Sequence, residues 1–384
     1  MTYTRTSWQR HGNASRRDMK IAILGTRGVP AAYSGFETCV EAVGRRLVTR
    51  GHHVTVYCRS RSSGDAKDMY LGMRRVTLPS VPSKGLETLS HTLLSTVHAT
   101  TRERPDVALV FGVGNAIFCG PLRGAGVPVA INVDGPDWSR RKWGGIGRRF
   151  LHWSERVAGP AANAVIADSE AVARYYQEHY RTSTSFIPYG ADIPSQVGSV
   201  TLAKFGLEPR GYLLAVGRFV PENGLHHLIR AYAEVRPSMP FVVVGDASYG
   251  DTYKRELKAM AAPGVIFTGY QFGAAYHELS HNAYAFLFAG EVGGTHPVLV
   301  EQLTHGNCIL ARWTDSNAEV IGDAGLYFND EAELAEKLKH LLADRAAVEG
   351  LRSSAIQRAK AYSWDRVTDQ YEQLLERVAS GSAR

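Results

Sequence analysis

The chain has 384 residues, of which 44% are hydrophobic and 21% charged, and its formal net charge is +7. This length suits two α/β domains of roughly 150 to 200 residues each, and the composition excludes a largely disordered chain. The positive charge indicates an anionic partner, which nucleic acid, anionic lipid or a phosphorylated small molecule would each satisfy.

Cysteine usage and the lack of long apolar runs bear on where the protein works. The four cysteines are far apart and form no C-x-x-C pair, which argues against a disulfide framework and against a zinc site. Residues 1–18 read as a basic, polar and disordered leader, without an apolar stretch of signal-peptide length. We therefore expect a cytoplasmic protein that does not cross a bilayer.

The first half of the chain alternates strands and helices. Residues 20–24 predict a buried strand, a glycine-rich loop follows, and apolar residues at helical spacing predict a helix over 37–50. A second helix is predicted over 86–102. Further strands are predicted at 54–58, 107–111, 127–133 and 164–167. The alternation indicates a parallel sheet with helices on both faces, which is a Rossmann-like domain.

A second alternating series begins after a turn-rich stretch at 188–196. It starts with a strand at 212–217 and a helix at 224–235. Strands at 241–245, 265–268 and 285–288 follow. The predicted architecture is two Rossmann-like domains, with an active site in the cleft between them at the carboxyl ends of the strands.

The first glycine-rich loop is a candidate acceptor or phosphate site. Glycines let backbone N–H groups approach a phosphate, and a helix N-terminus adds positive potential. The spacing is not that of a dinucleotide-binding loop, so ligand contact and a merely tight turn stay open alternatives. The candidate residues are Gly25, Arg27, Gly28, Ser34, Gly35 and Glu37.

The segment after the strand at 127–133 carries two further candidates. Asp134 stands at a strand's carboxyl end, where a carboxylate can orient or deprotonate an acceptor hydroxyl, although a turn role is the alternative. The basic and aromatic residues that follow suit an interfacial helix on anionic lipid; a solvated basic face is nearly as good an explanation. The predicted membrane-facing residues are Arg140, Arg141, Lys142, Trp143, Arg148 and Arg149.

Two motifs of the second half indicate a site for a diphosphate. Arg218 follows Gly217 before a predicted helix, where a permanent cation with several donors suits a diphosphate. Glu301 lies in an otherwise apolar helix start after the loop 293–296, and a pair of sugar hydroxyls is a natural partner for it. There is no Asp-x-Asp triplet and no paired-histidine motif, so we predict no metal and no other cofactor.

Together these motifs resemble the retaining GT-B glycosyltransferases of family 4, also called group 1. The resemblance covers nearly the whole chain after the leader. It rests on Gly217-Arg218 with Pro221-Glu222, on Glu301, and on the segments 34–37, 51–56 and 187–192. It implies two Rossmann-like domains, an acceptor-side one over 19–194 and a donor-binding one over 195–363, with a helix over 364–384 that crosses back to the first.

The resemblance also implies roles for residues. Asp134, Arg218 and Glu301 would be catalytic, with Arg218 stabilising the leaving diphosphate and Glu301 gripping the ribose. The implied donor-binding residues are Gly217, Arg218, Asn223, Tyr270, Gly293, Gly294, Thr295, His296 and Glu301. Two positions depart from the family pattern, because Asn223 replaces a lysine and Gly293 replaces the first of two carboxylates.

Within the family, the segments 25–30, 134–143 and 293–295 look like a subgroup of bacterial polysaccharide enzymes that includes rhamnosyltransferases. The implied donor is dTDP-L-rhamnose and the implied acceptor a lipid-diphosphate-linked saccharide at the inner face of the plasma membrane, with no nucleic-acid partner. Open alternatives are a UDP- or GDP-sugar donor, a GT-B sugar-nucleotide epimerase, and a catalytically silent nucleotide-sugar or membrane-binding protein. A dehydrogenase is disfavoured because no complete dinucleotide fingerprint is present.

Overall fold

The computed structural model describes residues 18–31, 35–60, 68–83, 85–133, 135–139, 143–192, 198, 200–247, 252–292 and 294–382. Among them, Ile21 to Leu24 form an almost fully buried strand, as continuous apolar runs do in parallel sheets. The predicted domain boundary at 194 and the leader up to residue 17 lie outside these ranges, so both stay predictions.

The first domain is built on an eight-stranded sheet. In chain order its elements are β1 (Lys20–Leu24), α1 (Gly35–Thr49), β2 (His53–Arg59), β3 (Met69–Tyr70), β4 (Met73–Leu78), α2 (Glu87–His98), β5 (Val107–Phe111), α3 (Cys119–Gly124), β6 (Val129–Val133), α4 (Gly145–Ala161), β7 (Ala164–Ala167), α5 (Glu170–Tyr180) and β8 (Ser185–Phe186). The strand order is β3-β4-β2-β1-β5-β6-β7-β8, and every pair except β3 with β4 is parallel.

The second domain is built on a six-stranded sheet in the order β11-β10-β9-β12-β13-β14. In chain order its elements are α6 (Val200–Phe205), β9 (Leu213–Val216), α7 (Leu225–Val235), β10 (Phe241–Val244), α8 (Thr252–Met260), β11 (Val265–Gly269), α9 (Gly273–His281), β12 (Ala285–Phe288), α10 (Pro297–Thr304), β13 (Cys308–Arg312), α11 (Asp315–Ile321), β14 (Gly325–Phe328), α12 (Glu331–Ala343) and α13 (Arg345–Ala359). All its named strand pairs are parallel.

The last helix, α14 (Trp364–Ala379), returns to the first domain. It packs on α1 and on β5 and β6, and Trp364, Tyr371 and Leu375 join the apolar core on that face of the first sheet. Ion pairs support the contact, including Arg50 Nη1 to Glu372 Oε2 at 2.6 Å. The expected fold, two Rossmann-like domains with a C-terminal helix that crosses back, is confirmed.

Both sheets are covered on both faces. Two apolar clusters sandwich the first sheet and two sandwich the second. Because the strands within each sheet run parallel, their carboxyl ends gather along one edge, and the connecting loops there form the candidate site.

Candidate active site

The loop after β9 carries Arg218 and is closed by its own hydrogen bonds. The backbone carbonyl of Arg218 accepts bonds from Val220 N, at 2.8 Å, and from Asn223 Nδ2, at 2.8 Å. The side chain of Asn223 therefore shapes this loop, and Gly217 is packed against it. The contact predicted between Asn223 and a diphosphate stays a prediction.

The loop after β12 lies directly against the loop after β9. The N–H of Glu291 donates to the carbonyl of Glu222 at 3.2 Å. Gly224 has a φ of +63°, and a Cβ there would lie 2.5 Å from the carbonyl oxygen of Ala289, so this position requires glycine. The strands β9 and β12 are neighbours in the sheet, which brings the two predicted donor motifs together.

The start of α10 faces the first domain. A Cβ on Gly294 would lie 1.9 Å from Asp168 Oδ1, and the hydroxyl of Thr295 donates to the backbone carbonyl of Asp168. A Cβ on Gly35 would lie 2.7 Å from Cγ of Pro297, so α1 and α10 meet at their N-termini. The predicted donor loop and the predicted acceptor-side loop thus border one interdomain contact.

His296 and Tyr270 flank this region of the second domain. The ring of His296 packs edge-on against Phe288, with centroids 5.0 Å apart. The hydroxyl of Tyr270, which follows β11, donates to the carbonyl of Asp246 after β10 at 3.0 Å, and its ring stacks on Phe272. The loops after β9, β10, β11 and β12 therefore form one rim.

Glu301, in the middle of α10, accepts a hydrogen bond from the hydroxyl of Tyr276. Burial raises the pKa of Glu301 to about 7, because an ionised carboxylate loses its hydration there, and the bond from Tyr276 only partly opposes this. Glu301 also lines a cavity of about 300 Å³ between α1 and α10, together with His277 and His305. A volume of this order suits part of a small ligand.

The histidines beside Glu301 are uncharged. Burial is the main cause that lowers the pKa of His305, to about 3, and that of His277, and their rings are linked by a 3.3 Å contact between Nδ1 of His277 and Nε2 of His305. Across the described ranges, no group of three or more His, Cys, Asp and Glu side chains is arranged to hold a metal ion. The cavity wall is thus polar and mostly neutral near α10.

In the first domain, the loop after β1 is held by carboxylates of α1. Glu37 Oε1 accepts a bond from the N–H of Arg27 at 2.9 Å. Gly25 and Gly28 have φ of +95° and +101°, and a Cβ on Gly28 would lie 2.4 Å from Sγ of Cys58. Close packing on the sheet thus accounts for both glycines. Ser34 lies outside the described residues.

The side chain of Arg27 takes part in an ion-pair cluster at the start of α2. Its Nη2 lies 3.9 Å from Glu87 Oε2, and Nη1 of Arg59 lies 3.2 Å from the same oxygen. One carboxylate therefore holds two guanidinium groups beside the first glycine-rich loop. This corner of the first domain is positively charged overall.

The basic segment is partly described. Asp134, Arg140, Arg141 and Lys142 lie outside the described residues, as does Gly293. Trp143 is tied by a 3.3 Å bond from its Nε1 to Asp137 Oδ2. Arg148 and Arg149 are exposed on α4. Glu155, the one carboxylate of α4, is buried and accepts bonds from the hydroxyls of Tyr175 and Tyr180.

Sequence reasoning missed three residues of this region: Asp168, Tyr276 and Glu319. Asp168 directly follows β7, so the rule that singled out Asp134 would also have found it. Glu319 reaches from α11 to the N-terminus of α5, where Oε2 accepts the N–H of Glu170 at 2.7 Å. No local pattern marks Tyr276 or Glu319, because their partners lie on other elements.

Comparison with known proteins matches both halves of the chain. Residues 33–193 match the Glycosyltransferase Family 4 domain, and residues 210–344 match the Glycosyl transferases group 1 domain. A curated relative, the alpha-maltose-1-phosphate synthase of Mycobacterium tuberculosis, is 26% identical over 273 residues, which cover 63% of this chain and 70% of that protein.

Solved structures share the overall architecture. The sucrose-phosphate synthase of Thermosynechococcus elongatus superposes with a TM-score of 0.80 at 18% identity, covering 94% of this chain and 99% of that one. Anabaena Alr3699/HepE, solved in complex with UDP and glucose, superposes with a TM-score of 0.76 at 19% identity, covering 93% and 99%. At these identities the likeness establishes the fold.

Proposed function

Since this chain is a GT-B glycosyltransferase with a family 4 domain followed by a group 1 domain, we propose that it moves a sugar from a nucleoside diphosphate to a lipid-linked acceptor. The observation that carries the proposal is the meeting of the loops after β9 and β12. It places Arg218 and the start of α10 on one rim that faces the first domain.

The reaction's main demand is to stabilise negative charge on the departing diphosphate. Arg218 and the N–H groups of residues 294–296, which precede α10, would meet it without a metal, because a guanidinium and a helix N-terminus both favour an anion. Glu301 would hold the ribose of the donor, and Asp134 would orient the acceptor hydroxyl. Retention of anomeric configuration, as in the family, is part of the proposal.

For the donor sugar we propose L-rhamnose, supplied as dTDP-L-rhamnose. Gly293 stands where the family places a carboxylate that contacts the donor sugar. A site without that carboxylate suits a deoxy sugar, which has one hydroxyl fewer to bind. The UDP bound by the Anabaena protein makes a UDP-sugar the alternative to test first.

For the acceptor we propose a saccharide linked through a diphosphate to a lipid, in cell-surface polysaccharide synthesis. Exposed Arg148, Arg149 and Arg156 on α4 stand beside exposed Ile146 and Trp153, a mixture that suits the surface of an anionic membrane. No helix of the described ranges is long and apolar enough to span a bilayer. We therefore place the enzyme peripherally on the inner leaflet of the plasma membrane.

Donor identity is tested by thermal unfolding of the purified protein with dTDP, UDP or GDP, each with EDTA and with magnesium. A ligand that binds only the folded state at about 100 times its Kd stabilises it by about 2.7 kcal/mol. We expect a metal-independent rise with dTDP. A rise with UDP or GDP alone would discard rhamnose, and no response to any nucleotide would favour a silent binding protein.

Reaction type is tested by product analysis. The enzyme is incubated with dTDP-L-rhamnose and a prenyl-diphosphate-linked N-acetylglucosamine, and products are identified by mass spectrometry and by NMR of the new anomeric centre. We expect an α-linked disaccharide if the donor is the β-anomer. Conversion of the sugar nucleotide without acceptor would instead identify an epimerase.

A further inference from the structure

Helix α2 is inverted relative to an ordinary surface helix. Its buried side is polar, formed by His91, Thr92, Ser95 and Thr96. Its outer side is apolar, with Leu93 and Val97 exposed by 50% and 52%, Leu94 by 39%, and Leu86 just before the helix by 54%. A helix of a water-soluble domain normally shows the opposite arrangement.

The polar inner side satisfies its hydrogen bonds within the helix. Thr92 Oγ1 donates to the carbonyl of Thr88 at 2.9 Å, and Ser95 Oγ donates to the carbonyl of His91 at 2.8 Å. Burial keeps His91 uncharged by lowering its pKa to about 4. The inner side therefore needs no outside polar partner, and the leucines remain outward, where an apolar cluster marks an interaction surface.

Helix α2 lies in the same layer as α4. Both pack on the 3-10 turn Val113–Phe118, on one face of the first sheet. The outer side of α4 carries Ile146 and Trp153, exposed by 88% and 52%. The two outer sides therefore belong to one surface, which we call the α2–α4 surface.

Charge on the α2–α4 surface has one sign. Glu87 and Glu155 are the sole carboxylates of the two helices; Glu87 is paired with Arg59, and Glu155 is buried. The exposed charged residues of α4 are Arg148, Arg149 and Arg156. A symmetric contact between two copies would bring these arginines together without opposing carboxylates, which disfavours self-association.

We propose that α2 inserts Leu86, Leu93, Leu94 and Val97 into the interfacial region of an anionic bilayer, while α4 supplies the attraction to headgroups. The proposal rests on the proposed function in one respect, that the acceptor is lipid-linked. It adds a division of labour, since apolar insertion resists salt and charge attraction does not. Glu87, in the first turn of α2, contacts Arg27, so insertion brings the loop after β1 to headgroup level.

The test is co-sedimentation with vesicles of 30% phosphatidylglycerol in phosphatidylcholine, at low and at high salt. We expect Leu93→Gln/Val97→Gln to weaken binding at least tenfold at both salt concentrations. The Arg148→Gln/Arg149→Gln variant should weaken binding mainly at low salt. Ile356→Gln, which changes a similarly exposed side chain of α13, is the matched control and should bind like the wild type.

A probe reports insertion directly. The four native cysteines are buried, so Leu94→Cys can be labelled selectively with a polarity-sensitive fluorophore. We expect a blue shift on adding vesicles, and none for a label at Ile356→Cys. An unshifted label, or vesicle binding by Leu93→Gln/Val97→Gln equal to the wild type, overturns the proposal.

Two further outcomes separate this inference from the proposed function. If the wild type is a dimer in analytical ultracentrifugation and Leu93→Gln/Val97→Gln is a monomer, the surface joins two copies and the inference fails. If α2 inserts but no lipid-linked saccharide is glycosylated, the proposed acceptor fails while the membrane contact stands. Transfer to a short-chain soluble acceptor should be unchanged in Leu93→Gln/Val97→Gln.

Discussion

Glu301 is a residue at which stability and function oppose each other. Its pKa is about 7 in the folded protein against 4.5 ordinarily, so between these values the folded state holds a proton that the unfolded state has released. Stability therefore falls as pH rises through this window and stays lower above it. The penalty above pH 7 is on the order of 2 kcal/mol.

Replacing Glu301 with glutamine should remove this penalty, because an amide oxygen still accepts the bond from Tyr276 and carries no charge. We expect Glu301→Gln to melt at a higher temperature than the wild type near pH 8 and at a similar temperature near pH 4.5, in calorimetry. Donor affinity should fall at least tenfold if the carboxylate holds the ribose. Equal melting temperatures at both pH values would contradict the buried carboxyl.

Arg218 is expected to act on the transition state. Arg218→Ala should lower kcat by about 100-fold or more, since the loss of a preorganised donor to a developing anion has this order of effect. Arg218→Lys keeps the charge without the forked donors and should recover part of the loss. The measurement is steady-state kinetics with saturating donor. An unchanged kcat would remove Arg218 from the reaction.

Asp134 is expected to act on the acceptor. Asp134→Asn should abolish transfer while leaving nucleotide affinity intact, because the amide cannot take up the acceptor's proton. Isothermal titration calorimetry with the nucleotide, beside an activity assay, separates the two effects. Asp137→Asn, three residues on, is a nearby comparison. Loss of nucleotide binding in Asp134→Asn would refute the acceptor role.

At the scale of elements, the N-terminus of α5 is capped twice. Ser169 Oγ accepts the N–H of Val172 at 3.1 Å within the first domain. Glu319 of the second domain accepts the N–H of Glu170 with both carboxylate oxygens, at 2.8 and 2.7 Å. A helix N-terminus favours an anion, so this contact stabilises the closed arrangement of the domains.

The double cap makes a matched pair of variants. Glu319→Ala should favour domain opening by about 1 kcal/mol, the usual effect of losing a cap, which is roughly a fivefold change in the ratio of open to closed forms. Ser169→Ala should destabilise the first domain without opening the cleft. Small-angle scattering of both variants decides: an equal radius of gyration would show that the Glu319 contact does not control opening.

For the whole molecule, α14 ties the end of the chain to the domain at its beginning. The hydroxyl of Tyr371 accepts a 2.6 Å bond from Asn132 Nδ2 of β6, and Leu375 is fully buried in the same core. The first domain's core is thus incomplete until the last helix has been added. Its folding depends on residues more than 300 positions away along the chain.

Leu375→Ala should therefore destabilise the first domain. We expect a loss of about 2–5 kcal/mol in the free energy of unfolding, as for other leucines truncated in a packed core. Gln373→Ala, at an exposed position of the same helix, is the control and should change little. Urea unfolding followed by hydrogen exchange locates the effect. Weakened protection confined to the second domain would contradict the crossing helix.

Much of the fold was predictable because its signals are local. The apolar runs at 20–24, 107–111 and 241–245 are buried strands, and the strand at 127–133 was two residues too long at its start. The strands β4, β13 and β14 were missed. They are short, and in parallel sheets the periodicity of a buried strand does not distinguish it from a buried helix.

The amino-acid sequence by itself determined the two-domain α/β architecture and the placing of Arg218 and Glu301 after strands, since both follow from patterns within a few residues. Only the tertiary structure decided that Gly294 packs on Asp168, that Glu319 caps α5, and that α2 turns its leucines outward. The physical reason is that burial and hydrogen bonding depend on partners distant in sequence. A local pattern specifies which groups an element presents, and the packing of other elements decides what they meet.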